Sequence, residues 1–414
     1  MPTWAQSRVV DIEIGRSGQD RPITAVRIGN GPRKLVLVGA THGYPERNTY
    51  QLAELLAEYF RSHPDDVPAG VRLYIVPLLN PDGLALETRF NAAGIDLNRN
   101  MNTNFDACDD NDWNITVQGA RGIVSDTGGR YPDSEPETRV IRDFLLDASA
   151  VVFFHSDGGD VFPAACEHAP SIKLAQVYAQ QSGYRYDRYW QNYLITGGMH
   201  DWAASLGIAA IIPELFTGVD PDYAANLGAI QAILSRADEL LPAPEDQQVD
   251  GILVPALIWR YWRAHGGEAM FGRPIAAAER FGAITRQAFT NAVIEVHPDQ
   301  ADTPYLVQMA PLGRRMADPA SQPAQASGDG YFFPETGHTV NGPYARFWDE
   351  AGGVAFLGFP LSEAQGRGGQ LTQYFERAIV AYDTSTAAAR LEPLGWYTLV
   401  ADRASAPTQA NQIR

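Results

Sequence analysis

The sequence predicts an α/β fold, a mixed and mostly parallel sheet flanked by helices, followed by a smaller C-terminal domain of two β-rich repeats. Three observations carry that prediction. Short β-branched, apolar runs alternate with helically patterned segments from residue 8 to about 240, as strands and crossover helices do. The stretch PAPEDQQVDG, residues 242–251, is polar and proline-bearing and reads as a linker. Beyond it the chain repeats itself, WRAHGGEAMFGRPI (262–275) aligning with WDEAGGVAFLGFPL (348–361). With 414 residues there is room for two domains, placed at 1–243 and 251–397.

In order along the chain, RVVDIEI (8–14), PITAVRI (22–28) and KLVLVG (34–39) are strands, bounded by Gly, Pro and Asn. The third is almost wholly apolar, as a strand covered on both faces must be. Residues 47–60 place Tyr50, Leu52, Leu55, Leu56, Tyr59 and Phe60 at helical spacing, and His63-Pro64 ends that helix. VRLYIVPLLNP (71–81) is the next strand. In SEPETRVIRDFLLD (134–147), Ser134 with Glu137 three residues on predicts a capping box at the start of a helix. AVVFFHS (150–156) and GIAAIIPEL (207–215) add two buried strands, and DPDYAANLGAIQAILSRADELL (220–241) is a closing helix.

In the C-terminal part, Gln287 and Phe289 align with Gln373 and Phe375, and both copies close on Pro-Leu-Gly, which sets the repeats at about 258–313 and 344–395. The connector MADPASQPAQASGDG (316–330) is flexible by composition. The duplication is either a structural pair or a binding surface. Trp262, Trp348, Phe289 and Phe375 are accordingly either core or a sugar-stacking face.

Charge narrows the partners. A net charge of −17 and a pI near 4.9 repel a phosphate backbone, which argues against nucleic acid. No run of about 18 apolar residues offers a membrane span. The start, MPTWAQSRVVDIEIG, lacks the charged-then-apolar layout of a secretory signal, although a trimmed segment leaves location open. Cys108 and Cys166 are the only cysteines and form either one bridge or two inert thiols.

His42, His155 and Glu214 each lie just past or at the carboxyl end of a predicted buried strand, where reactive groups of α/β sheets gather. In THGYPERNTY (41–50), His42 and Glu46 are either two metal ligands or the charges of a capped turn. Hydrolytic zinc takes three ligands from His and carboxylates and keeps a fourth position open, which His42, Glu46 and His155 could meet. NPDGLALETRFNAAGIDLNRN (80–100) carries Arg89 and Arg99, whose guanidinium forks suit a carboxylate or a developing oxyanion. The alternative there is a turn held by Asn and Asp side chains. NTNFDACDDNDWN (102–114) has the composition of a calcium loop but not its Gly and terminal Glu, and reads as a solvated loop.

Taken together, the motifs of residues 8 to about 240 resemble the zinc carboxypeptidase family, in its bacterial branch. The resemblance implies that His42, Glu46 and His155 hold one zinc ion and that Glu214 is the general base. Arg89 of TRFNAAG matches the arginine that polarises the scissile carbonyl, and Asn98 and Arg99 of DLNRN match the pair gripping the substrate's terminal carboxylate. Tyr193, eight residues before Asp201-Trp202, matches the mobile substrate-binding tyrosine. His200 occupies the position that helps to select the side chain, where it either suits an acidic or mixed-charge group or is structural. Three residues separate His42 from Glu46 where two are commoner, a spacing shared with a bacterial His-Gly-Gly-Tyr-Glu branch, and Met101 stands where an aromatic is usual.

The activity so implied is hydrolysis of a C-terminal peptide bond. The TRFNAAGIDLNRN loop and YPDSEPETR are most like bacterial members that act on cell-wall peptides, including those that cut a γ-D-glutamyl bond to diaminopimelate. LGFP (357–360) and FGRP (271–274) resemble repeat modules with an LGFP-type signature, found on exported bacterial proteins. That second resemblance implies cell-wall glycan as a partner and an extracellular or cell-envelope location. A catalytically retired wall-binding protein is the competing class, and the presence of Glu214 argues against it.

Overall fold

The computed structural model describes residues 8–106, 108–119, 122–317, 330–367 and 370–405. The chain divides into two compact units, Met1–Glu245 and Asp246–Arg414. In the first, strands β1 (Val9–Arg16), β2 (Pro22–Ile28) and β3 (Arg33–Val38) precede helix α1 (Arg47–Ser62), β4 (Val71–Val76) and α2 (Pro81–Ala85). A small hairpin, β5 (Val117–Gln118) and β6 (Val124–Ser125), comes before α3 (Pro136–Phe144), β7 (Ala148–Phe153), β8 (His155–Ser156) and β9 (Asp160–Pro163). Helix α4 (Ala169–Ser182), β10 (Arg185–Tyr186), α5 (Met199–Ser205), β11 (Ala209–Leu215), α6 (Tyr223–Ser235) and α7 (Ala237–Leu240) complete the unit.

The strands form one sheet in the order β1-β2-β4-β3-β7-β11-β9-β10, with β8 also on β11. Its centre, β4-β3-β7-β11, is parallel, while β1, β2 and β9 join antiparallel. The apolar KLVLV run explains the centre: Leu35 to Val38 are fully buried because helices cover both faces. Helix α1 lays Leu52, Leu56 and Phe60 on the sheet at i, i+4 spacing, with His63 as its C-cap, whereas Leu55 faces water. The expected capping box at Ser134 does not form. Glu135 is the N-cap of α3, the Ser134 hydroxyl donates to the Glu135 carboxylate, and Glu137 instead accepts from the backbone N–H of Gly18.

A buried ion pair closes the lower edge of the sheet. Lys34 Nζ lies 2.7 Å from Asp147 Oδ1 and donates to the Phe144 carbonyl, and Arg72 binds the other Asp147 oxygen. Burial opposes ionisation of Asp147, but Lys34 and Arg72 hold its carboxyl below the usual range.

The second unit begins earlier than the expected linker allows. Gln247–Val249 (β12) already pairs with Ile252–Val254 (β13), so the latter half of residues 242–251 is a hairpin rather than a tether. Helices α8 (Ala256–Ala264) and α9 (Gly267–Phe271) follow, then the antiparallel sheet β14 (Glu279–Phe281), β15 (Ile284–Ala288), β16 (Val293–Val296), β17 (Val307–Met309), and α10 (Leu312–Met316). The same order recurs as hairpin β18 (Gly330–Phe333) and β19 (His338–Asn341), helices α11 (Gly342–Ala351) and α12 (Gly353–Leu357), sheet β20 (Gln365–Arg367), β21 (Gln370–Tyr374), β22 (Ile379–Asp383), β23 (Ala388–Leu391), and α13 (Leu394–Ser405). Most of the connector 316–330 lies outside the described residues.

The repeated Gln-x-Phe has a structural use. Gln287 Nε2 donates to the Leu253 and Ala276 carbonyls, and Gln373 Nε2 to those of Thr339 and Ser362, stitching each hairpin to its sheet. Phe289 and Phe375 are fully buried and Trp262 nearly so, while Trp348 is half-buried. The two Pro-Leu-Gly segments are exchanged. Arg314 N–H donates to the Glu376 carbonyl of the second copy, and Trp396 N–H to the Thr290 carbonyl of the first. A Cβ at Gly313 or Gly395 would sit about 2 Å from the Phe375 or Phe289 carbonyl oxygen, so only glycine permits that approach.

Candidate active site

The parallel centre of the sheet brings the carboxyl ends of β3, β7 and β11 to one edge, where a cleft of about 700 Å³ opens. His42 reaches it from the turn after β3. Thr49 fixes that turn, its hydroxyl donating to the Glu46 carbonyl (2.7 Å) and accepting from Ala40 N–H (2.9 Å). Tyr44 N–H donates to the Thr88 carbonyl, which ties the turn to the segment bearing Arg89, and a Cβ on Gly43 would collide with Gly83. His155 lies on β8 beside Glu214 of β11, its register partner.

Three side chains converge. His42 Nδ1 is 2.7 Å from Glu46 Oε1, His155 Nδ1 is 3.0 Å from Glu46 Oε2, and the two Nδ1 atoms are 3.2 Å apart. All three residues are buried. Asp96 Oδ1 lies 3.0 Å from His42 Nε2, which puts a ring proton on Nε2. His42 Nδ1 facing a carboxylate oxygen and a second imidazole nitrogen either carries a proton shared with Glu46 or gives its lone pair to a cation between them. Zinc bonded at about 2.0–2.1 Å in a tetrahedron sets ligand–ligand edges of roughly 3.3 Å, close to these separations. Burial pushes His155 down to about 4, and His42 and His155 hold Glu46 well below the usual range despite burial. Burial also opposes charge on His42, but Glu46 and Asp96 raise it above its ordinary value, so a metal bound there would displace a proton from His42.

Around this group stand the other expected residues. Arg89 Nη1 is 2.9 Å from Glu46 Oε1, and its Nε donates to Asp96 Oδ2 at 3.1 Å. Burial and Glu46 push the Glu214 carboxyl well above the usual carboxylate range. A cation held by the triad opposes that shift. Asn98 accepts from Met199 N–H through its side-chain oxygen, and Arg99, buried, donates from Nη1 to the Asn98 carbonyl while its Nε has no protein partner. Tyr193 is half-buried with its ring 5.7 Å from the Arg99 guanidinium carbon. His200 is buried and pushed by that burial toward the neutral form, and it lines the same cleft. All nine expected residues therefore face one cavity.

Sequence reasoning missed Asp96, although it opens the quoted DLNRN and its side chain accepts from Asn98 N–H at the start of a short turn of helix. It also missed Asn48. That side chain accepts from the Ser156 hydroxyl and donates to the Thr217 and Asp220 carbonyls, holding the loop after β11. The open question of the cysteines is answered: Cys108 and Cys166 are bridged, and both line the cleft.

Two imidazoles and a carboxylate with coordinating geometry, set beside a second, partly buried carboxylate and two arginines in an open cleft, make a candidate metal centre. Residues 5–162 match the family model described as zinc carboxypeptidase. Murein peptide amidase A of Escherichia coli (strain K12) is 29% identical over 209 residues, which cover 46% of this chain and 74% of that protein. Carboxypeptidase SOL1 of Arabidopsis thaliana is 26% identical over 222 residues, 46% of this chain and 42% of its own length. Bacteriocin BCN5 of Clostridium perfringens is 28% identical over 229 residues, 49% of this chain and 22% of its length. The chain thus spans less than half the length of the last two relatives.

Proposed function

We propose that the N-terminal unit is an exopeptidase that removes the C-terminal residue of a peptide, with one zinc ion held by His42, Glu46 and His155. The observation that carries this reading is the convergence of both Nδ1 atoms on the Glu46 carboxylate. When bound, the metal supplies Lewis acidity, polarising the carbonyl and acidifying water. Glu214, in register beside His155, accepts a proton from the attacking water and returns one to the leaving amine. The Arg89 guanidinium, steered by Asp96, faces the oxyanion as it develops. Asn98 and Arg99 take the terminal carboxylate, and the unpartnered Arg99 Nε is one donor free for it. Tyr193 covers that end of the cleft.

A second reading, hydrolysis of the γ-D-glutamyl–diaminopimelate bond of murein peptides, is favoured by the likeness to murein peptide amidase A, most of whose length is matched. An envelope-attachment role for the C-terminal unit rests on the LGFP-type resemblance; Trp262, Phe289 and Phe375 are core and offer no stacking face. The test of the main reading is to offer the zinc-loaded chain one peptide with a free and with an amidated C-terminus. Release of the last residue only from the free form supports it. Equal cleavage of both, or internal cleavage, contradicts it.

A further inference from the structure

The two copies in the C-terminal unit share a backbone but differ on one sheet face. In the second copy Tyr374, the last residue of β21, is buried in an apolar cluster with Leu312 and Ile379. The last residue of β15 in the first copy is Ala288, and the registers make the two positions equivalent. Ala288 pairs with Val293 and its carbonyl accepts from Ile275 N–H, just as Tyr374 pairs with Ile379 and its carbonyl accepts from Leu361 N–H. Where the ring is missing, a cavity of about 100 Å³ lies beside Ala288, lined on its apolar side by Val293, Leu312 and, from the exchanged helix α13, Leu399. A dry cavity of about 150 Å³ takes up benzene, so this one is near the size of a single ring. Its rim is the cross-strand row Glu279, Arg286 and Glu295, whose counterparts in the second copy are the uncharged Gln365, Thr372 and Ala381. Arg286 Nη2 lies 2.7 Å from Glu279 Oε1, and His297 Nε2 lies 3.0 Å from Glu295 Oε2. Each carboxylate has acceptor sites beyond those contacts. Glu279 is exposed and Arg286 and Glu295 are half-buried, so the rim is reached from solvent.

We propose that the cavity beside Ala288 is a docking site for a tyrosine side chain of a peptide partner. The second copy supplies the reason for that occupant, because the same frame there already holds a tyrosine ring of its own. The apolar floor takes the ring out of water, and the charged row at the mouth, which the filled copy lacks, offers acceptors and a donor to the hydroxyl. An aliphatic side chain covers the floor but leaves that row unengaged, and an acidic one meets Glu279 and Glu295. The duplication then divides the work: the second copy is plugged and the first is open. Nothing in this inference depends on the exopeptidase reading.

The probe is N-acetyltyrosinamide, titrated by calorimetry into the full chain and into Ala288→Tyr, which gives the first copy the plug of the second. The N-terminal cleft is common to both proteins, so the difference between them reads this cavity. The parent should show a saturable site that Ala288→Tyr weakens by about 10- to 100-fold, the range that burial of one aromatic side chain supplies. Ala288→Leu, a smaller plug, should weaken it too and carries the test where the tyrosine variant does not fold, as read by circular dichroism. p-Cresol should bind about 2- to 10-fold more tightly than toluene, the usual share of one hydrogen bond, and N-acetylleucinamide should bind more weakly than the tyrosine probe. No saturable site in the parent, an unchanged affinity in the folded Ala288 variants, or toluene binding as well as p-cresol overturns the proposal. Binding of p-cresol without N-acetyltyrosinamide would assign the cavity to a free phenol and overturn the peptide partner.

Discussion

Asp96 Oδ1 lies 3.0 Å from Nε2 of His42, and its other oxygen accepts from Arg89 Nε at 3.1 Å. One buried carboxylate thus sets the tautomer of a proposed metal ligand and the aim of the proposed oxyanion donor. Burial disfavours its charge, but Arg89 and His42 hold Asp96 well below the usual carboxylate range. Replacing it by Asn keeps the shape and removes the charge. Asp96→Asn should weaken zinc binding by about 10- to 100-fold, the usual cost of losing a carboxylate behind a ligating His, as read by competition with a calibrated chelator. Unchanged zinc affinity would show that His42 is oriented by something else.

Glu214→Gln should bind zinc as the parent does and lose turnover by about 100- to 10,000-fold, the share general acid–base catalysis supplies. Metal content and single-turnover rates of the same preparation check both halves. Retained turnover removes Glu214 from the proposed mechanism.

Arg99→Ala should act mainly on substrate binding, because the Arg99 guanidinium donates to the Asn98 carbonyl, lies by the Tyr193 ring and has an Nε without a hydrogen-bond partner. KM is expected to rise more than kcat falls. A pure kcat loss would place Arg99 in the bond-breaking step instead.

Asp147→Asn should destabilise the N-terminal unit by about 3–5 kcal/mol, since it leaves Lys34 and Arg72 without their shared carboxylate. Because the folded-state carboxyl is depressed, its contribution is complete above the unfolded value of about 3.9 and is lost as pH falls through the lower folded value. Denaturant midpoints between pH 7 and pH 2 should therefore fall for the parent and converge on the variant. Parallel curves would mean that the pair contributes nothing.

The central sheet was legible because its strands are apolar on both faces and its reactive residues sit at strand ends, both of which are local patterns. His42, His155 and Glu214 could be found that way, although nothing in spacing alone separated ligands from a capped turn. Asp96 and Asn48 act through neighbours 54 and 108 to 172 residues away, and no local pattern reports such partners. The exchange of the Pro-Leu-Gly segments was hidden for the same reason, since a repeat in sequence does not say which copy its last turn packs on. The hairpins at 247–254 and 330–341 escaped because their sequences diverge while their backbone pairing does not.

The most direct measurement is metal content by mass spectrometry, alongside hydrolysis before and after chelation. About one zinc per chain is expected in the parent and essentially none in His42→Ala or His155→Ala, with activity lost to chelator and regained on adding zinc. A parent chain that carries no zinc and hydrolyses peptides regardless of chelator would contradict the account at its base.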